Sequence, residues 1–408
     1  MRASDSPPTR PRLPIYLDYQ ATTPVDPRVM QAMLPYFAEK FGNPGSVSHS
    51  FGREASLAVE NAREQVAASI GADAREIVFT SGATEANNLA IKGAARFRAE
   101  ARRHIVTLET EHKCVIESAK SMESQGFRVT YLPVGPTGRV DLERLSAAID
   151  ADTFLVSIMA AHNEIGTLQP LAEIGALCRE RGVYFHTDAA QAVGKIALDV
   201  DAFAIDLLSI SGHKIYGPKG IGALYVRRRP RARLEPLLCG GGQERGLRSG
   251  TLPAPLIVGF GEACAISGQE MAEEGERLAG FRKRLADGLA ARFPDLRING
   301  DLERRLPGNL NATFPGVDAE ALMAALPDLA LSSGSACTSA EVEPSYVLRA
   351  IGLSEDLARA SLRIGLGRFT EASEVDYAAQ AIADAALRLR PEGRGPRLEA
   401  GAGAKAAS

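Results

Sequence analysis

The sequence contains few cysteines, and they are not arranged as pairs. Its five cysteines stand at positions 114, 178, 239, 264 and 337, an odd number with no C-x-x-C spacing. This arrangement argues against a disulfide framework and against a structural zinc site. We therefore expect a protein without bound metal that works in a reducing compartment.

The sequence also lacks an excess of positive charge and any apolar run long enough to cross a membrane. Its formal net charge is -3 and its pI is about 6.2, so neither nucleic acid nor an anionic membrane is expected as a direct partner. The proline-rich residues 1–14 have no apolar core of the kind that a secretory signal carries. We expect a cytoplasmic protein with a flexible N-terminus over residues 1–14.

The rest of the chain alternates apolar strand patterns with amphipathic helix patterns. Such alternation predicts an α/β fold with a mostly parallel sheet, covered on both faces, whose functional loops lie at one edge. With 408 residues and 45% apolar side chains, the chain can bury two cores. From about residue 262 a long helical stretch replaces the alternation. We predict a large domain over 15–261, whose first residues could pack on the small domain, and a smaller domain over 262–390 that carries a mobile loop with Cys337. A disordered tail over 391–408 is expected because it is poor in large apolar side chains.

Lysine is scarce, since only nine of the 47 cationic residues are lysines. One of them, Lys214, follows Ser-Gly-His after the apolar run 205–208, and Asp188 follows the strand pattern 183–186. Pyridoxal phosphate needs an amine and a carboxylate placed in this way. We predict that Lys214 forms the Schiff base and that Asp188 keeps the pyridine nitrogen protonated. For either residue alone, a simpler interpretation is available, namely that Asp188 caps a helix and that Lys214 is a solvated amine. Their joint placement favours the cofactor site.

A phosphate site is predicted after the strand pattern 77–80. Small residues lead there into a helix, and the free backbone N–H groups at a helix start bind anions. We assign the phosphate to the backbone of Ala83 and to the backbone and hydroxyl of Thr84, with Ser211 and His213 as further donors. An ordinary N-capped helix would show the same pattern.

Two amides are placed to reach the ring hydroxyl oxygen of the cofactor. Asn163 follows the strand pattern 154–159, and Gln191 stands three residues after Asp188. Both side chains carry donors that suit a phenolate oxygen.

Five segments of the chain, in a fixed order, carry a further signal. They are Leu17-Asp18-Tyr19-Gln20-Ala21-Thr22-Thr23-Pro24, Thr80-Ser81-Gly82-Ala83-Thr84-Glu85, Asn163-Glu164-Ile165-Gly166, Ser211-Gly212-His213-Lys214 and Ser332-Ser333-Gly334-Ser335-Ala336-Cys337-Thr338-Ser339. Together they resemble the signature set of the NifS/IscS-type cysteine desulfurases, which belong to the pyridoxal-phosphate-dependent class V aminotransferase family. The resemblance spans roughly residues 15–390. It implies an aminotransferase-like large domain of fold type I, with a smaller α+β C-terminal domain.

The resemblance also implies roles for individual residues. L-cysteine would be converted to L-alanine, with its sulfur left as a persulfide on Cys337. His112 would stack on the pyridine face and relay protons, Arg363 would bind the substrate carboxylate, and Asn43 would lie near the substrate. The residue that matches Thr251 binds the phosphate of the partner subunit in this family, so the resemblance implies a homodimer with shared sites.

Several alternatives stay open at the level of sequence. The sulfur acceptor could be an iron-sulfur scaffold, a tRNA-thiolation protein or a nitrogenase-dedicated factor, and the tail after residue 390 departs from the family members that dock a scaffold. Another pyridoxal enzyme, such as an aminotransferase or a selenocysteine lyase, would make Cys337 incidental. A cofactor-free subunit that docks sulfur acceptors on the same fold is a third reading.

Overall fold

A computed structural model describes residues 11–333 and 343–391 of the chain. The predicted sulfur carrier Cys337, most of the predicted flexible N-terminus and the tail from residue 392 lie outside these residues. The strands are β1 (Ile15–Tyr16), β2 (Ile77–Thr80), β3 (His104–Leu108), β4 (Arg128–Leu132), β5 (Thr153–Ser157), β6 (Tyr184–Asp188), β7 (Leu207–Ser211), β8 (Gly222–Val226), β9 (Arg297–Ile298), β10 (Asn309–Thr313), β11 (Leu329–Ala330) and β12 (Ser361–Gly365). The helices are α1 (Pro27–Met33), α2 (Pro35–Ala38), α3 (Ser50–Ala68), α4 (Ala83–Arg98), α5 (Lys113–Glu123), α6 (Leu142–Ala148), α7 (Leu171–Arg181), α8 (Ala254–Arg292), α9 (Ala319–Ala324), α10 (Tyr346–Ala350), α11 (Glu355–Arg359) and α12 (Ala372–Leu389).

A seven-stranded sheet in the order β2-β8-β7-β6-β5-β3-β4 forms the centre of the larger part. The run from β7 to β4 is parallel, and β8 lies antiparallel to both of its neighbours. Strands β5 and β7 are buried along their whole length, as expected when helices cover both faces of a sheet. The predicted α/β class with a mostly parallel sheet is confirmed.

Helix α8 begins earlier than the sequence suggested. The long helical stretch was expected from about residue 262, but α8 starts at Ala254 and ends at Arg292. Pro253 and Pro255, which resemble helix breakers in the sequence, occupy the N-cap and the first turn, where no intrahelical N–H is required. Gly261 lets α8 approach α3 closely, because a Cβ there would lie 2.6 Å from the Cα of Ala62.

A second apolar core lies around a three-stranded sheet in the order β12-β10-β9, which is antiparallel throughout. The helices α12 and the C-terminal part of α8 pack on it. Ile15 and Leu17 belong to this core, and β1 pairs in parallel with β11. Residues 15–17 therefore lie on the smaller core, and by Thr23, which donates to the His213 carbonyl, the chain has reached the larger sheet.

Candidate active site

Asp188 and Lys214 leave adjacent strands at the same edge of the large sheet. Strands β6 and β7 are parallel neighbours in which Asp188 pairs with Ser209, so both strands end at their carboxyl ends side by side. Lys214 closes a short 3₁₀ helix, Gly212–Lys214, directly after β7. In parallel α/β sheets, this edge is where ligands bind.

The amine of Lys214 is held by the backbone of the N-terminal signature segment. Its Nζ donates to the carbonyl oxygens of Gln20 at 2.6 Å and of Ala21 at 2.8 Å. The hydroxyl of Thr23, in the same segment, donates to the carbonyl oxygen of His213 at 3.0 Å. These contacts join residues that stand 190 to 194 positions apart, and no local sequence signal indicates them.

The carboxylate of Asp188 is almost fully buried and takes two protein donors. Asn87 Nδ2 donates to Oδ2 at 2.7 Å, and the backbone N–H of Ala190 donates to Oδ1 at 2.9 Å. Each carboxylate oxygen can accept a second hydrogen bond, so Asp188 can still accept one from a ligand. Asn87, fully buried on α4, is a site residue that the sequence reasoning missed.

The start of α4, where the anion site was predicted, lies at the same edge. Its N-cap residue, Gly82, provides no side chain to the N–H groups of the first turn, which begins with Ala83 and Thr84. Ser211 lies beside this turn, since a Cβ added to Gly82 would lie 3.9 Å from Ser211 Oγ. Gly222 of β8 packs closely against the turn that precedes α4, because a Cβ added to Gly222 would lie 2.7 Å from the Cα of Gly82.

His213 lies next to Lys214 and remains uncharged at neutral pH. Its Nδ1 lies 3.1 Å from the hydroxyl oxygen of Thr22. Burial lowers the pKa of His213 to about 4, and the positive charges of Lys214, Lys219 and Lys195 act in the same direction. A neutral imidazole can donate one hydrogen bond to a phosphate without a charge of its own.

His112 caps the start of α5, where its tautomer is set by the backbone. Its Nδ1 accepts the N–H of Cys114 at 3.2 Å and lies 2.9 Å from the Sγ of the same residue. Because Nδ1 is an acceptor, the neutral ring carries its proton on Nε2. The adjacent Glu111 is fully buried, and burial raises its pKa well above the usual range, with the charge of Asp188 adding to the effect.

Gln191 is buried, and both ends of its side-chain amide are held. Its Nε2 donates to the carbonyl oxygen of Gln20 at 2.8 Å, and its Oε1 accepts from Lys195 Nζ at 3.0 Å. Gln20 therefore accepts from both Gln191 and Lys214 through one carbonyl oxygen.

Arg363 lies on β12 of the smaller sheet, and it reaches across to the segment that holds Lys214. Its Nη2 donates to Asp18 Oδ1 at 2.8 Å, and its Nη1 donates to the carbonyl oxygen of Asn163 at 3.2 Å. Its buried Nε has no acceptor among the residues that the structure describes. One edge of the guanidinium is thus left for a further anion.

No described hydrogen bond joins Asn43 or Thr251 to this cluster. Asn43 is exposed, and its Oδ1 accepts the N–H of Gly45 in its own loop at 2.9 Å. Thr251 is exposed at the end of the glycine-rich loop. That loop is fastened to the large unit by a buried ion pair between Glu244 and Arg63, at 2.7 Å.

The residues at this edge fit pyridoxal phosphate. A primary amine and a buried carboxylate with an open acceptor position follow the adjacent strands β7 and β6, and the uncapped helix start follows β2 and lies beside Ser211 at the end of β7. This donor and acceptor set matches the aldehyde, the ring nitrogen and the phosphate of the cofactor.

Comparisons with known proteins point to one family. Residues 15–378 match the family model of the class-V aminotransferases. A cysteine desulfurase IscS of Rickettsia typhi is 58% identical over 378 residues, which are 93% of this chain and 92% of that protein. A solved NifS-like protein superposes with a TM-score of 0.86 at 38% identity, covering 93% of this chain and 100% of its own. The structure titled SspA in complex with cysteine gives a TM-score of 0.78 at 42% identity, covering 87% and 99%.

Proposed function

Because the chain belongs to the cysteine desulfurases of the class-V aminotransferase family, we propose how its own residues carry out that reaction and where the sulfur goes. The enzyme depends on pyridoxal phosphate and converts L-cysteine to L-alanine. The observation that carries the assignment of the site is the placement of Asp188 and Lys214 at the ends of two adjacent parallel strands.

The bound cofactor supplies the electron sink that makes the Cα–H and Cβ–S bonds of the substrate breakable. Lys214 exchanges its contacts with the Gln20 and Ala21 carbonyls for the cofactor, and once displaced by substrate its free amine removes the Cα proton. Asp188, kept in place by Asn87, accepts the ring N–H. Arg363 holds the substrate carboxylate along its unpaired Nε edge.

His112 carries its proton at a defined ring nitrogen. Since its Nδ1 is occupied by the backbone of Cys114, the proton available to the site is on Nε2. We assign His112 to the face of the pyridine ring of the cofactor, where the proton on Nε2 can be transferred to a substrate atom. Ala83, Thr84, Ser211 and His213 hold the phosphate end.

The sulfur-transfer step leaves a persulfide on Cys337. The thiolate of Cys337 attacks the substrate sulfur, so an S–S bond forms as the Cβ–S bond breaks. The Cβ of the substrate is reduced by two electrons and takes up a proton, while the substrate sulfur and the Cys337 sulfur are each oxidised by one. The products are alanine and Cys337–S–SH, and no external oxidant is needed.

Mass spectrometry of the holoenzyme after incubation with L-cysteine tests this assignment. We expect the peptide that contains Cys337 to gain about 32 Da, the mass of one sulfur atom. Cys239, which is exposed, is the matched control thiol and should gain nothing. Unchanged turnover in Cys337→Ala would instead favour another pyridoxal enzyme. A colourless protein, unmodified at Lys214 after borohydride treatment, would favour a cofactor-free subunit.

We assign the active form to a homodimer. A contiguous stretch of the described chain exposes large apolar side chains that a monomer would leave in water, and Phe41 stacks on Phe51 with ring centroids 5.6 Å apart. The other exposed members are Leu34, Phe37, Val47 and Leu57. Sedimentation of the wild type and of Phe41→Asp tests this surface, and a monomeric wild type would remove the proposal.

Thr251 is assigned to the phosphate of the partner subunit. Mixed dimers of Lys214→Ala and Thr251→Ala chains test the sharing, because each mixed dimer contains one site with both residues intact. We expect such dimers to regain cofactor binding at one site. If Thr251 serves its own subunit, mixing restores nothing.

The sulfur acceptor is assigned to a protein of iron-sulfur cluster assembly or of another sulfur-containing cofactor, including tRNA thiolation, in the cytoplasm. None of the four described cysteines is disulfide-bonded, which suits a reducing compartment. No helix in the described part of the chain has the length and apolarity needed to span a membrane. Transfer of labelled sulfur from Cys337 to purified candidate acceptors distinguishes among them.

The division into a large unit, 15–261, and a smaller one, 262–390, is also part of this proposal. Two separate apolar cores support it. Helix α8 contributes to both, with Phe260 in the larger core and Leu285 in the smaller one.

A further inference from the structure

A second lysine lies beside the candidate site, and the chemistry proposed above does not use it. Lys195 lines a small cavity together with Gln20, Tyr216 and Glu274. Its Nζ donates to Gln191 Oε1 at 3.0 Å. No described carboxylate forms an ion pair with it, so the amide of Gln191 is its hydrogen-bond partner.

Gln191 has one amide hydrogen left to give. Its Nε2 carries two N–H groups, and one of them goes to the carbonyl oxygen of Gln20 at 2.8 Å. The other has no acceptor among the residues that the structure describes. Gln191 is buried, and an unpaired buried donor is unfavourable, so this N–H can take an acceptor supplied by a ligand.

We propose that Lys195 is a positioning residue that acts through Gln191, aiming the second amide N–H of Gln191 at the ring hydroxyl oxygen of pyridoxal phosphate. An ammonium group only donates, so it holds Oε1 toward itself and Nε2 toward the site. Without it, the amide keeps one anchor instead of two and can turn away. This inference rests on the proposed function, because it requires bound pyridoxal phosphate, and on the assignment of Gln191 to the ring hydroxyl oxygen that the sequence predicts.

The surroundings of Lys195 set the conditions for a test. Burial lowers its pKa to about 7, the charge of Lys214 lowers it further, and the charge of Glu274 opposes both. The donor-only ammonium form therefore prevails below pH 7. Measurements at pH 6.5 examine the protein in that form.

The experiment is a double-mutant cycle on cofactor affinity. Apoprotein is titrated with pyridoxal phosphate, and the dissociation constant and the absorption maximum of the bound cofactor are measured. The chains compared are the wild type, Lys195→Met, Gln191→Leu and the double variant. The control is Lys120→Met, which removes one exposed amine from α5. Thermal unfolding of each apoprotein reports whether the variants fold.

We expect Lys195→Met to weaken cofactor binding about 3- to 10-fold, the loss of one hydrogen bond, and to move the absorption maximum in the direction seen for Gln191→Leu. In the Gln191→Leu background the same change should have no further effect, because the two residues act in series. Equal effects of Lys195→Met in both backgrounds, or none in either, would overturn the inference. If Gln191→Leu itself leaves affinity and spectrum unchanged, the assignment of Gln191 to the cofactor fails first.

Discussion

Replacing Asn87 by Ala tests how the buried carboxylate of the site is supported. Asn87 Nδ2 lies 2.7 Å from Asp188 Oδ2, and both residues are buried. With the cofactor bound over Asp188, water cannot replace a hydrogen bond that is lost there. A hydrogen bond to a charged group contributes about 1.5 to 3 kcal/mol, which corresponds to roughly 10- to 150-fold in affinity. We expect Asn87→Ala to weaken pyridoxal phosphate binding within that range.

The next residue of the same helix offers a matched control. Asn88 Nδ2 donates to the carbonyl oxygen of Thr84 in its own helix and has no described contact with Asp188. Asn88→Ala removes the same side-chain amide from α4 and should leave cofactor affinity within about twofold of the wild type. Fluorescence titration of both apoproteins measures the two dissociation constants. If the two variants bind the cofactor equally well, Asn87 does not support Asp188 and the reasoning is wrong.

Three further predictions concern other parts of the molecule. Gly222→Ala should lose the cofactor on dialysis, and its free energy of unfolding should fall by about 1 to 3 kcal/mol, because the added Cβ would clash with the turn at Gly82. Retention of the cofactor by this variant would contradict the prediction. Arg363→Lys should raise the KM for cysteine about 10-fold or more with a smaller change in kcat, while Arg359→Lys on the surface should change neither in steady-state assays. Burial lowers the pKa of His186 to about 3, so between pH 6.5 and 3 the unfolded chain binds a proton that the folded chain excludes, and stability falls as pH falls. From pH 7 to 5 this group should cost about 2 kcal/mol, measured as a loss of unfolding free energy that is absent in His186→Gln.

The sequence predicted that Asp188 and Lys214 lie at one edge of the sheet, and the structure places both there. Asp188 and Lys214 both follow apolar strand patterns, and strands that follow one another in an α/β chain are often neighbours in the sheet. Their local patterns were therefore sufficient to place them together. The uncapped start of α4 was equally visible as a strand followed by small residues.

The supporting contacts could not be predicted in this way. The Gln20 carbonyl meets Lys214 across 194 positions, and Asn87 meets Asp188 across 101, so neither contact has a local pattern. Asn87 looks like an ordinary polar residue of a helix until its burial is known. Lys195 was the exception, since it stands four positions after Gln191 and that spacing alone could have suggested a contact.

The start of α8 shows a different limit. Pro253 and Pro255 suppress a helix prediction in the sequence, whereas the structure uses them at the only helix positions that tolerate them. Whether a helix begins at a proline depends on which backbone N–H groups need hydrogen-bond partners, and the tertiary structure decides this.

The short β1 strand has a mechanical consequence. It is hydrogen-bonded to β11, and within five residues of its end the same segment presents the carbonyl oxygens that grip the Lys214 amine. Strand β11 itself leads to Ser332, which forms a bridge with Arg363. Arg363 also donates to Asp18 in the β1 segment, so the arginine proposed to bind the substrate and the lysine proposed to bind the cofactor both contact residues 18–21, and a displacement of the smaller sheet would move both.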